Sequence, residues 1–118
     1  MRPVPAAPPS PVARCAALAD ETRWEVLRRL GQEPLSASEL AETMPVSRQA
    51  IARHLGVLLE VGLVEQAREG RQVRYRALGQ QLTRLARDLE TVGRAWEQRL
   101  DRLRVMAEEQ AGRDSSGG

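Results

Sequence analysis

The stretch that most limits what this chain can become is residues 43–60, where a short proline-containing turn separates two helical patterns. Pro45 disfavours helical geometry at Met44, so a helix arriving from upstream must stop there. Ser47 then offers a hydroxyl that can accept a hydrogen bond from an unpaired amide in the first turn of a new helix. Ile51, Leu55, Leu58 and Leu59 recur at helical spacing and should face a core, while Arg48, Gln49, Ala52 and Arg53 fall on the other side. No acid interrupts that outer face before Glu60. Two short helices joined in this way make a helix-turn-helix, with Val46 placed to plug the space between them. A helix apolar behind and positive in front suits a DNA major groove. An ordinary amphipathic surface helix satisfies the same pattern, so the rest of the chain has to decide.

Upstream, Ser36 and Glu39 have the spacing of a capping box, which predicts a helix over Ala37–Thr43 burying Leu40 and Ala41. Asp20 reads as the cap of an earlier helix running to Leu30, with Glu21 favourably placed at its positive end. Trp24, Val26, Leu27 and Leu30 would form its apolar face, and Gly31 a left-handed C-cap. Residues 32–35 read as a loop. An alanine-rich helix over 13–19 is expected before Asp20. Residues 1–12 hold most of the seven prolines and are expected to form a disordered or extended tail.

Downstream, Gly62 should end the helix that starts after Ser47. Residues 63–68 and 71–78 read as two strands, because Val73, Tyr75 and Ala77 alternate with Gln72, Arg74 and Arg76. Glu69 and Gly70 can supply a tight turn between them. A hairpin directly after a helix-turn-helix is a wing, with Arg68 and Arg71 at its tip and Arg74 on its polar face. These arginines could reach phosphates or a minor groove, or merely solubilise a lid on the core. Residues 80–110 then predict one long helix. Leu82, Leu85, Leu89, Val92, Trp96 and Leu103 step along it by three, four or seven, with Leu100 beside the seam and Arg99 interrupting it. So long a stripe exceeds what the winged module can cover, and the expected cover is the same helix of a second subunit. Residues 112–118 read as a flexible tail.

The totals exclude several classes. The net charge is only +2, but six arginines against three glutamates between Ser47 and Arg76 leave a local positive excess suited to phosphates. Cys15 is the only cysteine and His54 the only histidine, so neither an intrachain disulfide nor a cysteine-based metal cluster can form. No nucleophile–base arrangement or glycine-rich phosphate loop points to an enzyme. No apolar run spans a membrane and no signal sequence is evident, so a cytoplasmic location is expected. No cofactor is expected.

In order and spacing the chain resembles the ArsR/SmtB family of winged-helix repressors. The matching residues begin with Ala17, Leu18, Ala19, Asp20, Glu21, Thr22 and Arg23. They continue through Leu27, Leu30, Leu35, Ser36, Glu39, Leu40 and Ala41. Val46, Ser47, Ala50, Ile51, His54, Leu55 and Leu58 follow, then Gly62, Leu63 and Val64, then Arg68, Glu69, Gly70, Arg71 and Tyr75. The resemblance is dense over residues 13–78 and holds in outline beyond. It implies a mostly α fold with a small β-hairpin wing (α+β), dimeric through its N- and C-terminal helices. Residues 13–78 would be the DNA-binding domain and 79–111 the dimerisation helix.

The resemblance also implies DNA contacts at Ser47, Arg48, Gln49, Ala52, Arg53 and His54. Arg48 suits guanine and Gln49 adenine; Ala52 offers only a methyl group, and Arg53 suits a phosphate. For His54 a phosphate contact and a packed side chain both remain open. The cysteine and histidine clusters of metal-sensing members are missing, which implies a non-metal-sensing type with an extended last helix. The expected function is a homodimeric repressor that binds double-stranded DNA at an inverted repeat. Its alternatives are a dimeric protein-interaction module and a repressor responding to oxidation at Cys15.

Overall fold

The computed structural model describes residues 9–116. Helix α1, Pro11–Leu18, starts within the segment expected to be tail. The Ser10 side chain caps it by accepting from the Ala13 amide at 3.1 Å. Pro11 occupies the first helical position, where its missing N–H leaves nothing unsatisfied. The remainder of the expected N-terminal tail, residues 1–8, lies outside the described residues.

Helix α2, Glu21–Leu30, is capped by Asp20, whose carboxylate accepts from the Arg23 amide at 2.9 Å. It buries Val26, Leu27 and Leu30. Trp24 does not join them: it is 56% exposed. At 100° per residue it lies roughly 110° from the centre of the face those three residues define. Gly31 does not take the expected left-handed cap either. It keeps right-handed geometry at φ −69°, and the helix unwinds through a tighter turn in which the Gln32 amide donates to the Arg29 carbonyl at 3.0 Å.

The capping box forms as read. The Glu39 amide donates to Ser36 Oγ and the Ser36 amide to Glu39 Oε1, each at 3.1 Å, opening helix α3, Ala37–Thr43. Met44 is extended ahead of Pro45, and Ser47 caps helix α4, Arg48–Glu60, by accepting from the Ala50 amide at 3.1 Å. Gly62, with φ +68°, turns the chain out of α4.

Three strands make one antiparallel sheet. Leu35–Ser36, read as the end of a loop, forms a two-residue strand β1, too short to leave a periodic signature. β2, Val64–Glu69, and β3, Gln72–Ala77, form the hairpin; β3 lies in the middle, pairing Val64 with Ala77 on one side and Ser36 with Arg74 on the other. Glu69 pairs with Gln72, leaving Gly70 and Arg71 as the turn. A positive φ at Gly70 with a negative one at Arg71 matches the sign pattern of a type II′ turn.

The core lies where α2, α3, α4 and the base of the hairpin meet. Val26, Leu27, Leu30, Leu40, Met44, Ile51, Leu55, Leu58, Leu63 and Val64 are buried together, with Val46 and Tyr75 packed against them. Burying each large aliphatic side chain contributes roughly 1.5–3 kcal/mol. Two arginines invisible to pattern reading tie the helices to one another. Arg14, buried, donates from Nε to the Val61 carbonyl at the end of α4 and from Nη2 to Gln81 Oε1, both at 3.0 Å. A cation at that helix end also complements its negative pole. Arg23 donates to the Ala17 carbonyl and also meets His54.

Helix α5, Gly79–Ser116, is continuous over 38 residues, so residues 112–116 are helical rather than a flexible tail. Near its end Gln110 donates to Asp114 one turn on, which supports the last turns. The chain divides into two compact units within this helix, the first ending at Leu85 and the second beginning at Ala86. Leu82 packs against the core and Leu85 is 4% exposed, so these two do not belong to a free seam. In the second unit Leu89, Val92, Trp96, Leu100, Leu103 and Met106 all stand exposed.

Candidate nucleic-acid interface

Helix α4 is divided by its own periodicity. Ile51, His54, Leu55 and Leu58 are buried against the core, which fixes the helix about its axis. Ser47, Arg48, Gln49, Ala52 and Arg53 are all exposed on the opposite face. Arg48, Gln49 and Ala52 line one side of an open cleft of about 550 Å³. Ser36, Ala37 and Ser38 at the start of α3 line it as well, and Arg71, Gln72, Val73 and Tyr75 of the wing close the far side. Ser38, Gln72 and Tyr75 were not among the contact positions read from the sequence. Only the pairing of β1 with β3, which carries the wing beside the start of α3, brings them to this cleft.

The arginines sort by whether their charge is already engaged. Arg74 lies half-buried on β3 with Glu39 and Glu69 each 3.5 Å away, and its Nε has no hydrogen-bond partner. This differs from the free phosphate-reaching side chain expected of it: Arg74 links the α3 cap to the tip of the wing. Arg76 is paired with Glu65 across the hairpin. Arg48, Arg53, Arg68 and Arg71 enter none of the ion pairs among the described residues. Four unneutralised guanidinium groups therefore surround the outer face of α4 and the wing.

His54 is corrected by the same geometry. It is only 9% exposed, and Arg23 Nη1 lies 3.3 Å from its Nδ1. A guanidinium can only donate, so in this contact the ring nitrogen is the acceptor. His54 thus packs inside and holds α2 against α4, leaving the exposed face to its neighbours.

Three carboxylates near these helices are held below their usual range. Glu39 is lowered chiefly by accepting the Ser36 amide, then by the Ser36 hydroxyl and nearby Arg74. Asp20 is lowered chiefly by the Arg23 amide. Glu25 is lowered to about 2 by hydrogen bonds from Arg28 and Arg29. All three remain charged across the physiological range and serve to order α2 and α3. Among the described residues no cluster of three or more His, Cys, Asp or Glu side chains could hold a metal ion. Cys15 is a half-buried free thiol on α1. No helix of the described residues is long and apolar enough to cross a membrane.

A three-stranded sheet with a wing, a capped helix-turn-helix and a basic outer helix face defines the winged helix-turn-helix class. Residues 18–67 match a family described as a helix-turn-helix domain. An ArsR-like transcriptional regulator from Rhodococcus sp. RHA1 is 52% identical with a TM-score of 0.76, over 82% of this chain and 92% of that one. The regulator Rv2034 of Mycobacterium tuberculosis is 47% identical over 47% of this chain. The regulator CmtR of Mycobacterium bovis is 37% identical over 64% of it. The chain spans about half the length of Rv2034 (51%) and 64% of CmtR. The chain belongs to the ArsR family of winged helix-turn-helix transcriptional regulators, a family of non-enzymes.

Proposed function

We propose that the protein is a homodimeric repressor that binds an inverted-repeat operator in double-stranded DNA and blocks the promoter there. Helix α4 would enter the major groove, with Arg48 and Gln49 reading base edges, Ala52 offering its methyl group and Arg53 meeting a phosphate. Arg71 and Arg68 at the wing would engage the adjacent backbone or minor groove. The exposed apolar row on the second half of α5, which includes Leu89, Val92, Trp96, Leu100 and Leu103, would join two copies. That would place two recognition helices on successive turns of the duplex.

The observation that carries this reading is the cleft itself. The exposed start of α4 faces an uncovered wing, and four unpaired arginines lie on α4 and the wing. The test is selection of bound duplexes from a random pool. An enriched motif with two-fold symmetry is the expected outcome. Recovery of no motif, or of a single unrepeated half-site, contradicts the dimeric operator. A mobility shift on the DNA upstream of the protein's own gene separates this reading from a protein-docking module, which would give no shift.

A further inference from the structure

The wing loses a strand before it reaches its tip. β1 supports β3 only at Tyr75 and Arg74, through Leu35 and Ser36. Beyond Arg74 two rungs remain, Arg68 with Val73 and Glu69 with Gln72, before the turn at Gly70 and Arg71. A two-stranded ribbon is marginal by itself and twists more freely than a wider sheet. Yet this end carries Arg68 and Arg71, which enter none of the ion pairs among the described residues. A ribbon left to itself would swing both guanidinium groups over a wide arc, and ordering them would cost affinity at each encounter.

Arg74 stands at the last three-stranded rung, and its side chain reaches both ways. Nε lies 3.5 Å from Glu39 Oε1 on α3, and Nη1 lies 3.5 Å from Glu69 Oε2 beside the turn. Among the described residues no other ion pair joins the wing to a helix; Arg76 with Glu65 stays within the hairpin. Glu39 is itself held, because the same Oε1 accepts the Ser36 amide in the capping box. The α3 end of the link is therefore fixed, and the tip is the part it restrains. The Glu39 side chain is 34% exposed against 62% for Glu69, so water screens the anchoring pair less than the tip pair. We infer that Arg74 is a positioning residue for DNA binding: by bridging Glu39 and Glu69 it aims the two-stranded tip so that Arg71 meets the duplex, without touching DNA itself. This role rests on the DNA-binding reading above and deepens it. Lysine cannot make the same bridge, because one ammonium replaces the two nitrogens that face the two carboxylates separately.

A double-mutant cycle on the full chain tests this role, with Kd measured at one salt concentration on a duplex selected from the random pool. Arg71→Ala and Arg74→Met should each weaken binding about tenfold, and the double variant no more than about twofold beyond Arg71→Ala alone. Two arginines that meet phosphates independently would instead multiply their losses, to about a hundredfold. Arg74→Lys keeps the charge yet should bind as weakly as Arg74→Met. In the free protein, hydrogen exchange should quicken at residues 68–73 in both Arg74 variants and stay unchanged in α4, the control that the fold survives. Should Arg74→Met fail that control, Arg74→Lys takes its place in the cycle. Multiplied losses, a lysine variant as tight as the parent, or an Arg71→Ala without effect overturns the positioning role and leaves DNA binding standing. A parent chain that shifts no duplex, selected or random, overturns the DNA-binding reading and this role with it.

Discussion

Helices α4 and the second half of α5 both carry a long exposed face, and the two faces are opposite in kind. The outer face of α4 is polar and cationic, and it rests on a body of buried aliphatic side chains that locks its orientation. The exposed row of α5 is apolar, and no other element of its own unit covers it. A cationic face is comfortable in water and can wait for its ligand. A row of Leu, Val, Trp and Met is not, since exposing it forfeits roughly 25 cal/mol for every Å² that a partner would cover. On the proposed function, one face takes a transient polyanion and the other would take lasting self-association.

Breaking the shared support should have the largest effect. Leu55→Ala empties the fully buried position beneath α4 and should cost about 2–5 kcal/mol in a denaturant titration. It should abolish the α4 face while leaving the helical signal of the second half of α5 partly intact. Next, Arg48→Ala should cost about 1–3 kcal/mol of discrimination at one base pair. Arg53→Ala should weaken all duplexes alike and lower the salt slope by about one. If both substitutions act alike, α4 does not read bases.

Ser47→Ala removes the cap of α4 and should cost about 1 kcal/mol in thermal or denaturant unfolding, without altering self-association. The smallest expected effect concerns Glu25. Its folded pKa of about 2 lies below the ordinary 4.5, so its contribution is fully present above pH 4.5. That contribution is lost as pH falls towards 2, and Glu25→Gln should flatten this part of an acid-unfolding curve.

Much of this was legible in the residues because it depends on local chemistry. Ser36 with Glu39, Asp20, Ser47 and the Met44–Pro45 step each act within one turn of chain, and each appears as read. What escaped depends on contacts distant in sequence. His54 sits at a position that resemblance assigns to DNA, yet Arg23, thirty-one residues earlier, draws it inward. Arg74 has the alternation of an outward wing residue, but β1 brings Glu39 beside it. Leu82 and Leu85 continue the α5 stripe without a break in spacing, and only the packed core separates them from Leu89. Trp24 departs for a different reason: it is strongly apolar, yet its angle on α2 lies outside the buried face.

On the proposed function, the uncovered cationic face of α4 and the wing reads DNA sequence. The most direct measurement is the dissociation constant for a selected duplex and for a scrambled one of equal length, taken across a series of salt concentrations. The expected result is a steep linear loss of affinity with the logarithm of salt for both, with the selected duplex at least about 10³-fold tighter at physiological salt. Equal affinity for the two duplexes at every salt concentration would contradict it.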